Sequence, residues 1–235
     1  MMATNDYIGN ELELFQHAKN WKAYYGKFIR PHLKGKVLEV GAGIGGTALT
    51  LCDGSQEKWI CLEPDNKLLD EIHKKITNKQ LPPICQAVQG ILSDLSLEEK
   101  FDVIIYIDVV EHIEKDKSEL ELAAKYLKKG GKLIVLVPAH EFLYSPFDKA
   151  IGHYRRYNKQ TLTDISPSEL QTKTVFYLDS VGLLASTANK LFLKQSYPTL
   201  QQIKTWDNLL VPVSRIIDPV IGRAIGKTVV GIWEK

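Results

Sequence analysis

At 235 residues, 44% of them hydrophobic, the chain is long enough to bury one sizeable core, with room for a small appended cap. Thirty basic against 28 acidic residues leave a net charge of +2, which excludes the strong global field of a nucleic-acid binder. Cys52, Cys61 and Cys85 are odd in number and sit among apolar residues, so reduced core thiols in a cytoplasmic protein are expected rather than a disulfide or metal set. The first ten residues lack the basic start and apolar run of a signal peptide, and no apolar stretch approaches the roughly 20 residues that span a bilayer.

Glu11 to Arg30 reads as a helix, with Phe15, Ala18, Trp21, Tyr25, Phe28 and Ile29 recurring on one face and Pro31 and Gly35 ending it. It packs on a sheet edge, closes over a ligand as a lid, or does both. Trp21, Tyr24 and Tyr25 are not expected to share one core, which leaves Tyr25 a candidate substrate contact.

The organising stretch follows. Val37 to Val40 is a buried strand cut short by glycines, and Thr47 to Leu51 resumes at helical spacing. A strand, a glycine turn and a helix start bring backbone N–H groups to face a nucleotide-like ligand. Gly41-x-Gly43-x-x-Gly46 is also the dinucleotide fingerprint, and Glu63 follows near the distance of a ribose-binding acid, so the glycines alone do not separate NAD from another adenosine cofactor. Glu39 would face a pyrophosphate with the wrong charge; it suits a cofactor carrying an amino group and a sulfonium. Here the chain resembles the class I S-adenosylmethionine (SAM) methyltransferases, whose first motif is an acid followed by G-x-G-x-G. The resemblance implies cofactor contacts at Glu39, Gly41, Gly43 and Gly45.

Lys58 to Glu63 is the second strand. Glu63 and Pro64 end it, with Glu63 placed for a ribose diol and Asp65 for a helix N-cap. Ile84 to Val88 is the third, ending at Gly90. Ile91 stands where many methyltransferases carry an adenine-binding acid, so adenine falls to the backbone of Ile91 and Leu92, or to Asp94. Phe101 to Asp108 is a central strand, apolar on both faces, that delivers Ile107 and Asp108 to the cofactor's methionine end. Ser118-x-x-Glu121 has the form of a capping box, and Lys132 to Val137 is the fifth strand. Thr172 to Leu178 and Lys227 to Trp233 supply a sixth and a seventh, the last antiparallel. The fold class is therefore α/β, a doubly wound seven-stranded Rossmann-like sheet. A lid occupies residues 1–35, the core 36–180, a helical cap 181–226 and the last strand 227–235.

"FDVIIYIDVVEHI", "YLKKGGKLIVLVPA" and "GHYRRY" resemble the fourth-strand, fifth-strand and following signatures of these enzymes. With "NWKAYY", "LYSPFDKAIGHYRRY" and "LVPVSRIIDPVIG", the chain resembles in particular a bacterial methyltransferase group associated with glycosyltransferases and with surface-polysaccharide or glycolipid assembly. Ubiquinone-biosynthesis O-methyltransferases share the "EH" after strand four. Their acid-x-x-Glu-His set, here Asp108, Glu111 and His112, serves Mg²⁺ in some of them; no required metal is expected here.

The long connection from Ala139 to Gln160 lies at the carboxyl edge of the sheet, where such loops carry function. Tyr144, Tyr154, Arg155 and Arg156 are candidate substrate contacts, the arginines either gripping an anionic group or pairing with acids of the fold. Methyl transfer to a hydroxyl needs alignment and a base, and His153, with His112 as partner or substitute, falls at the cofactor end. From Trp206 to Ile225, apolar residues keep one helical face, expected to pack as a cap over the sheet; an acyl pocket and a membrane surface are the alternatives. The expected function is SAM-dependent O-methylation of a small-molecule, sugar or lipid-linked acceptor, without nucleic acid. An NAD-linked oxidoreductase and a non-catalytic SAM-fold binding protein are the alternatives.

Overall fold

In the computed structural model, which describes residues 11–193 and 197–235, seven strands form one sheet in the order β3-β2-β1-β4-β5-β7-β6. They are β1 (Lys36–Val40), β2 (Lys58–Glu63), β3 (Cys85–Gln89), β4 (Phe101–Ile107), β5 (Leu127–Pro138), β6 (Gln171–Leu178) and β7 (Thr228–Glu234). β1 pairs in parallel with β2 and β4, and β7 runs antiparallel to both β5 and β6. The order reverses between β1 and β4, the switch point at which doubly wound sheets open a crevice at their carboxyl edge.

Alternation along the strands divides the core in two. Val37, Trp59, Ile105, Ile134 and Val230 belong to one buried cluster; Leu38, Ile60, Ile104, Val135 and Trp233 belong to the other. The apolar runs of β1 and β4 follow from this, since a central parallel strand has no wet face.

Ten helices clothe the sheet among the described residues: α1 (Glu11–Phe15), α2 (Lys19–Ile29), α3 (Gly46–Leu51), α4 (Asn66–Thr77), α5 (Asp116–Tyr126), α6 (Pro146–Ala150), α7 (Lys159–Asp164), α8 (Ser180–Ala188), α9 (Leu200–Thr205) and α10 (Val211–Val220). A wider turn at Trp206–Leu210 joins α9 to α10. Asp65 caps α4 as its sequence predicts, accepting from Lys67 N at 2.7 Å and Leu68 N at 3.1 Å.

Four expectations change. The N-terminal helix is two pieces, broken between Phe15 and Lys19. Ser118 lies inside α5, which starts at Asp116 without a side-chain cap. β5 begins at Leu127, and residues 128–131 bulge out, so Phe101 pairs with Leu127 while Val103 pairs with Lys132. Trp21, Tyr24 and Tyr25 are all buried in one cluster, because the C-terminal helices give α2 a second wall: Trp21 meets Trp206 at 5.8 Å between ring centroids, and Tyr24 donates to Asp218 at 2.8 Å.

Candidate functional site

The glycine turn after β1 is a cradle that only glycine can form. Gly41 has φ of +66°, and a Cβ there would sit 2.7 Å from Val109 Cγ2. The turn is anchored from below by Gly41 N and Ala42 N, which donate to Leu62 O. It is anchored from the side by Glu63, whose Oε2 accepts from Gly43 N at 2.7 Å and whose Oε1 accepts from Asp65 N at 3.0 Å. Burial raises the Glu63 pKa, and those two N–H groups partly offset it. Leu12 of α1 lies over Gly43, so the N-terminal segment overhangs the turn.

The turn forms one end of a cavity of about 1340 Å³. Gly41, Gly43, Glu63, Pro64, Ile107 and Asp108 line it, and so do Tyr25, His112, Tyr144, His153, Tyr154 and Arg156. Glu39, Gly45, Ile91, Leu92 and Arg155 do not. Glu39 lies beneath the turn, 2% exposed, accepting from Trp59 Nε1 at 2.8 Å; burial pushes its carboxyl up to about 8. Ile91 projects to solvent and donates its N–H to Asp94 at 2.9 Å, while Leu92 is buried. At that end, Ile44, Pro64 and Leu68 wall the cavity instead.

Asp108 directly follows β4 with φ of +55°, a left-handed conformation that a non-glycine residue holds at a cost. Its side chain is exposed to the cavity that it lines. Burial pushes it up to about 6, against the pull of His153, Lys227 and Lys22.

The loop after β5 is organised around Asp148, which is fully buried. Its carboxylate accepts from Arg156 Nε at 2.8 Å and Nη2 at 3.0 Å, from Ser145 Oγ at 2.6 Å, and from His153 Nδ1 at 2.9 Å. Burial alone would raise its pKa; the His153 and Arg156 bonds outweigh that and hold it well below the usual carboxylate range. The arginines are therefore committed, Arg156 to Asp148 and Arg155 to Asp116 at 2.8 Å and to Glu114 O at 3.0 Å. Internal pairing is one of the two roles their sequence left open.

Because an ionised carboxylate only accepts, the Asp148 bond places a proton on His153 Nδ1, so that in the neutral ring Nε2 is the nitrogen with the lone pair. Nε2 lies 3.8 Å from Glu111 Oε1, and the His112 ring meets the His153 ring edge-on at 4.5 Å. Burial, then His153, lower the His112 pKa to about 4, so its imidazole is neutral near pH 7. Glu111 is fully buried, and neither carboxylate oxygen has a hydrogen-bond partner. Burial and the Asp108 charge push its pKa well above the ordinary range. Glu111, His112 and His153 each bring one potential ligand atom within 4.8 Å of the others; Asp108 is not of that group.

Sequence reasoning missed Asp148 and the half-buried cations Lys22 and Lys227 as cavity residues. Asp148 left one signal, the Ser145-x-x-Asp148 box that starts α6. The cations left none.

This strand order, with an antiparallel seventh strand and a glycine cradle at the switch point, defines the Rossmann-like fold of the SAM-dependent methyltransferases. Residues 38–135 match a family model described as a methyltransferase domain. A ubiquinone biosynthesis O-methyltransferase from Idiomarina loihiensis is 28% identical over 111 residues, 45% of this chain and 45% of that protein's length. Among solved structures, phosphoethanolamine N-methyltransferase 2 of Haemonchus contortus, in complex with phosphomonomethylethanolamine and S-adenosylhomocysteine, superposes with a TM-score of 0.63 at 14% identity. That match covers 100% of this chain and 60% of that one. The [4+2]-cyclase SpnF superposes at 0.64 and 13% identity, covering 97% and 94%. At these identities the likeness is one of fold.

Proposed function

We propose that the protein is a SAM-dependent methyltransferase that methylates an oxygen of a small-molecule, sugar or glycolipid-type acceptor, releasing S-adenosyl-L-homocysteine. The residues present fit that cofactor. The Glu63 carboxylate, whose oxygens have acceptor capacity beyond the Gly43 and Asp65 amides, suits a ribose diol, Pro64 and Leu68 offer apolar contact to a base, and Asp108 answers a cationic amino group. When bound, SAM supplies an electrophilic methyl group on a sulfonium sulfur.

The chain's own residues align the acceptor, exclude water and take its proton. His153 is the general base. Asp148, itself locked by Arg156, holds the ring and its tautomer and stabilises the imidazolium that forms when Nε2 accepts the proton. Neutral His112 packs against the ring and limits its rotation. Tyr144 donates to His153 O at 2.6 Å and so fixes the backbone of the base, while Tyr154, exposed at the cavity wall, offers an acceptor contact. The observation that carries this reading is one cavity lined by both the glycine turn and a histidine whose Nδ1 is held by a buried carboxylate.

The test is His153→Ala in the full chain. It is expected to bind SAM by calorimetry as the wild type does and to lose about 10²- to 10⁴-fold in turnover, the usual contribution of a positioned base. Normal turnover, or loss of SAM binding with the fold intact, would remove His153 from that role. A mass-spectrometric screen of metabolites and glycolipids for a methyl-group mass gain identifies the acceptor.

A further inference from the structure

The helical run from Leu200 to Val220 is apolar on both of its faces. Its inward face mixes the core residues Ile203 and Val211, 4% and 0% exposed, with buried polar groups, Asp207, Ser214 and Asp218 being 2%, 0% and 0% exposed. Its outward face is apolar: Leu209, Val213, Ile216, Ile217 and Val220 recur at helical spacing and are 60%, 40%, 73%, 38% and 83% exposed. The sequence led us to expect this stripe to pack as a cap over the sheet, and it does not. Soluble chains seldom leave so continuous an apolar stripe facing water without a partner for it.

Hydrogen bonds lock the rotation of the run. Asp207 accepts from Trp21 N at 2.8 Å and Asn20 N at 3.0 Å. Asp218 accepts from Tyr24 Oη at 2.8 Å, Asp179 N at 2.7 Å and Ser180 N at 3.0 Å. Ser214 donates to Asp179 at 2.7 Å. Rolling the stripe inward would carry these carboxylates out to water and leave the Trp21, Tyr24, Asp179 and Ser180 donors buried without partners, a loss that opposes the apolar burial gained.

Charge identifies what covers the stripe. Between Ser180 and Gly226 the only acids are Asp207 and Asp218, and both are buried. Exposed Lys204 and half-buried Arg215 lie on the same run, while Arg223 beyond it stacks on Phe28 at 4.8 Å. The charged side chains that the run itself shows to water are therefore both cations. A second copy of this chain would set cations against cations, whereas an anionic bilayer accepts both features. The opposite side of the same run, through Trp206 and Leu210, walls the cavity, so a docked helix brings the cavity to the bilayer surface.

We propose that the outward stripe of α10, with Lys204 and Arg215, is a docking surface for the headgroup–acyl boundary of an anionic bilayer. This does not depend on the methyl-transfer reading. The experiment is flotation of the full chain with vesicles of phosphatidylcholine alone and with about a quarter phosphatidylglycerol.

The wild type is expected to float with the phosphatidylglycerol vesicles and to be released as salt rises. Ile216→Glu with Val220→Glu is expected to lose at least about tenfold in partitioning, and Arg215→Glu at least about fivefold, with unchanged circular dichroism and melting. Equal recovery with both vesicle types, no flotation, or unchanged partitioning of the folded variants would overturn the proposal. So would a dimer in sedimentation equilibrium that Ile216→Glu disperses in a chain that does not float. Should the double variant not fold, the wild type's dependence on phosphatidylglycerol and salt decides.

Discussion

Three buried carboxyls, at the cavity or beneath its glycine turn, hold their protons with very different strengths, and each difference has a local cause. Asp148 faces a guanidinium and an imidazole and stays ionised; Glu111 faces neither at bonding distance and favours its protonated form. Glu39, beneath the glycine turn, is raised to about 8 by burial, against about 4.3 for an unfolded glutamate. Between those values the unfolded chain has released a proton that the folded chain retains, so this group's contribution to stability falls as pH rises from about 4 to 8. Glu39→Gln keeps an acceptor for Trp59 and removes that slope. Urea denaturation of ligand-free protein is expected to show the variant gaining on the wild type from pH 5 to 8, by at most about 4 kcal/mol; parallel pH curves would contradict the assignment. Chelation is expected to leave turnover unchanged, because His153 acts as base without a metal in our reading. Activity lost to EDTA and restored by Mg²⁺ or Mn²⁺ would instead give Glu111, His112 and His153 to a metal. The glycines and Glu63 could be read from sequence because local spacing encodes them. Asp148 could not be placed against His153 and Arg156, because an irregular loop has no period to fix which side chains meet.

The glycine turn stores its shape in Gly41, and Gly41→Ala adds both a strained φ and a clash with Val109. A loss of about 1–3 kcal/mol is expected in urea denaturation. No loss would mean that the turn relaxes. At the other wall, α2 lacks a side-chain cap of its own, and Asp207, from a helix far along the chain, accepts from the Asn20 and Trp21 amides in its place. Asp207→Ala is expected to cost about 1–3 kcal/mol and to speed exchange of the Trp21 amide, measured by hydrogen–deuterium exchange. Unaltered protection at Trp21 would show that packing alone holds α2. The strands were legible because buried parallel strands are written as unbroken apolar runs. The direction of the α10 stripe was not. Periodicity reveals two faces, and only partners such as Tyr24 and Asp179, distant in sequence, decide which face turns inward.

Across the whole molecule, the sheet supplies a rigid carboxyl edge, and the N-terminal and C-terminal helices together close a cavity over it. That closure is why Trp21, Tyr24 and Tyr25 share one core although a lone amphipathic helix would not bury them all. It also leaves the glycine turn and Glu63 facing the cavity in which His153 stands. The central claim is that this edge binds SAM. Isothermal titration of the full chain with SAM, S-adenosylhomocysteine and NAD, for wild type and Glu63→Ala, tests it most directly. We predict saturable binding of the two sulfur nucleotides and none of NAD, with Glu63→Ala weaker by about 1–3 kcal/mol, the cost of leaving ribose hydroxyls without their charged acceptor. Absence of SAM binding, tighter binding of NAD, or a Glu63→Ala variant with unchanged SAM affinity would contradict it.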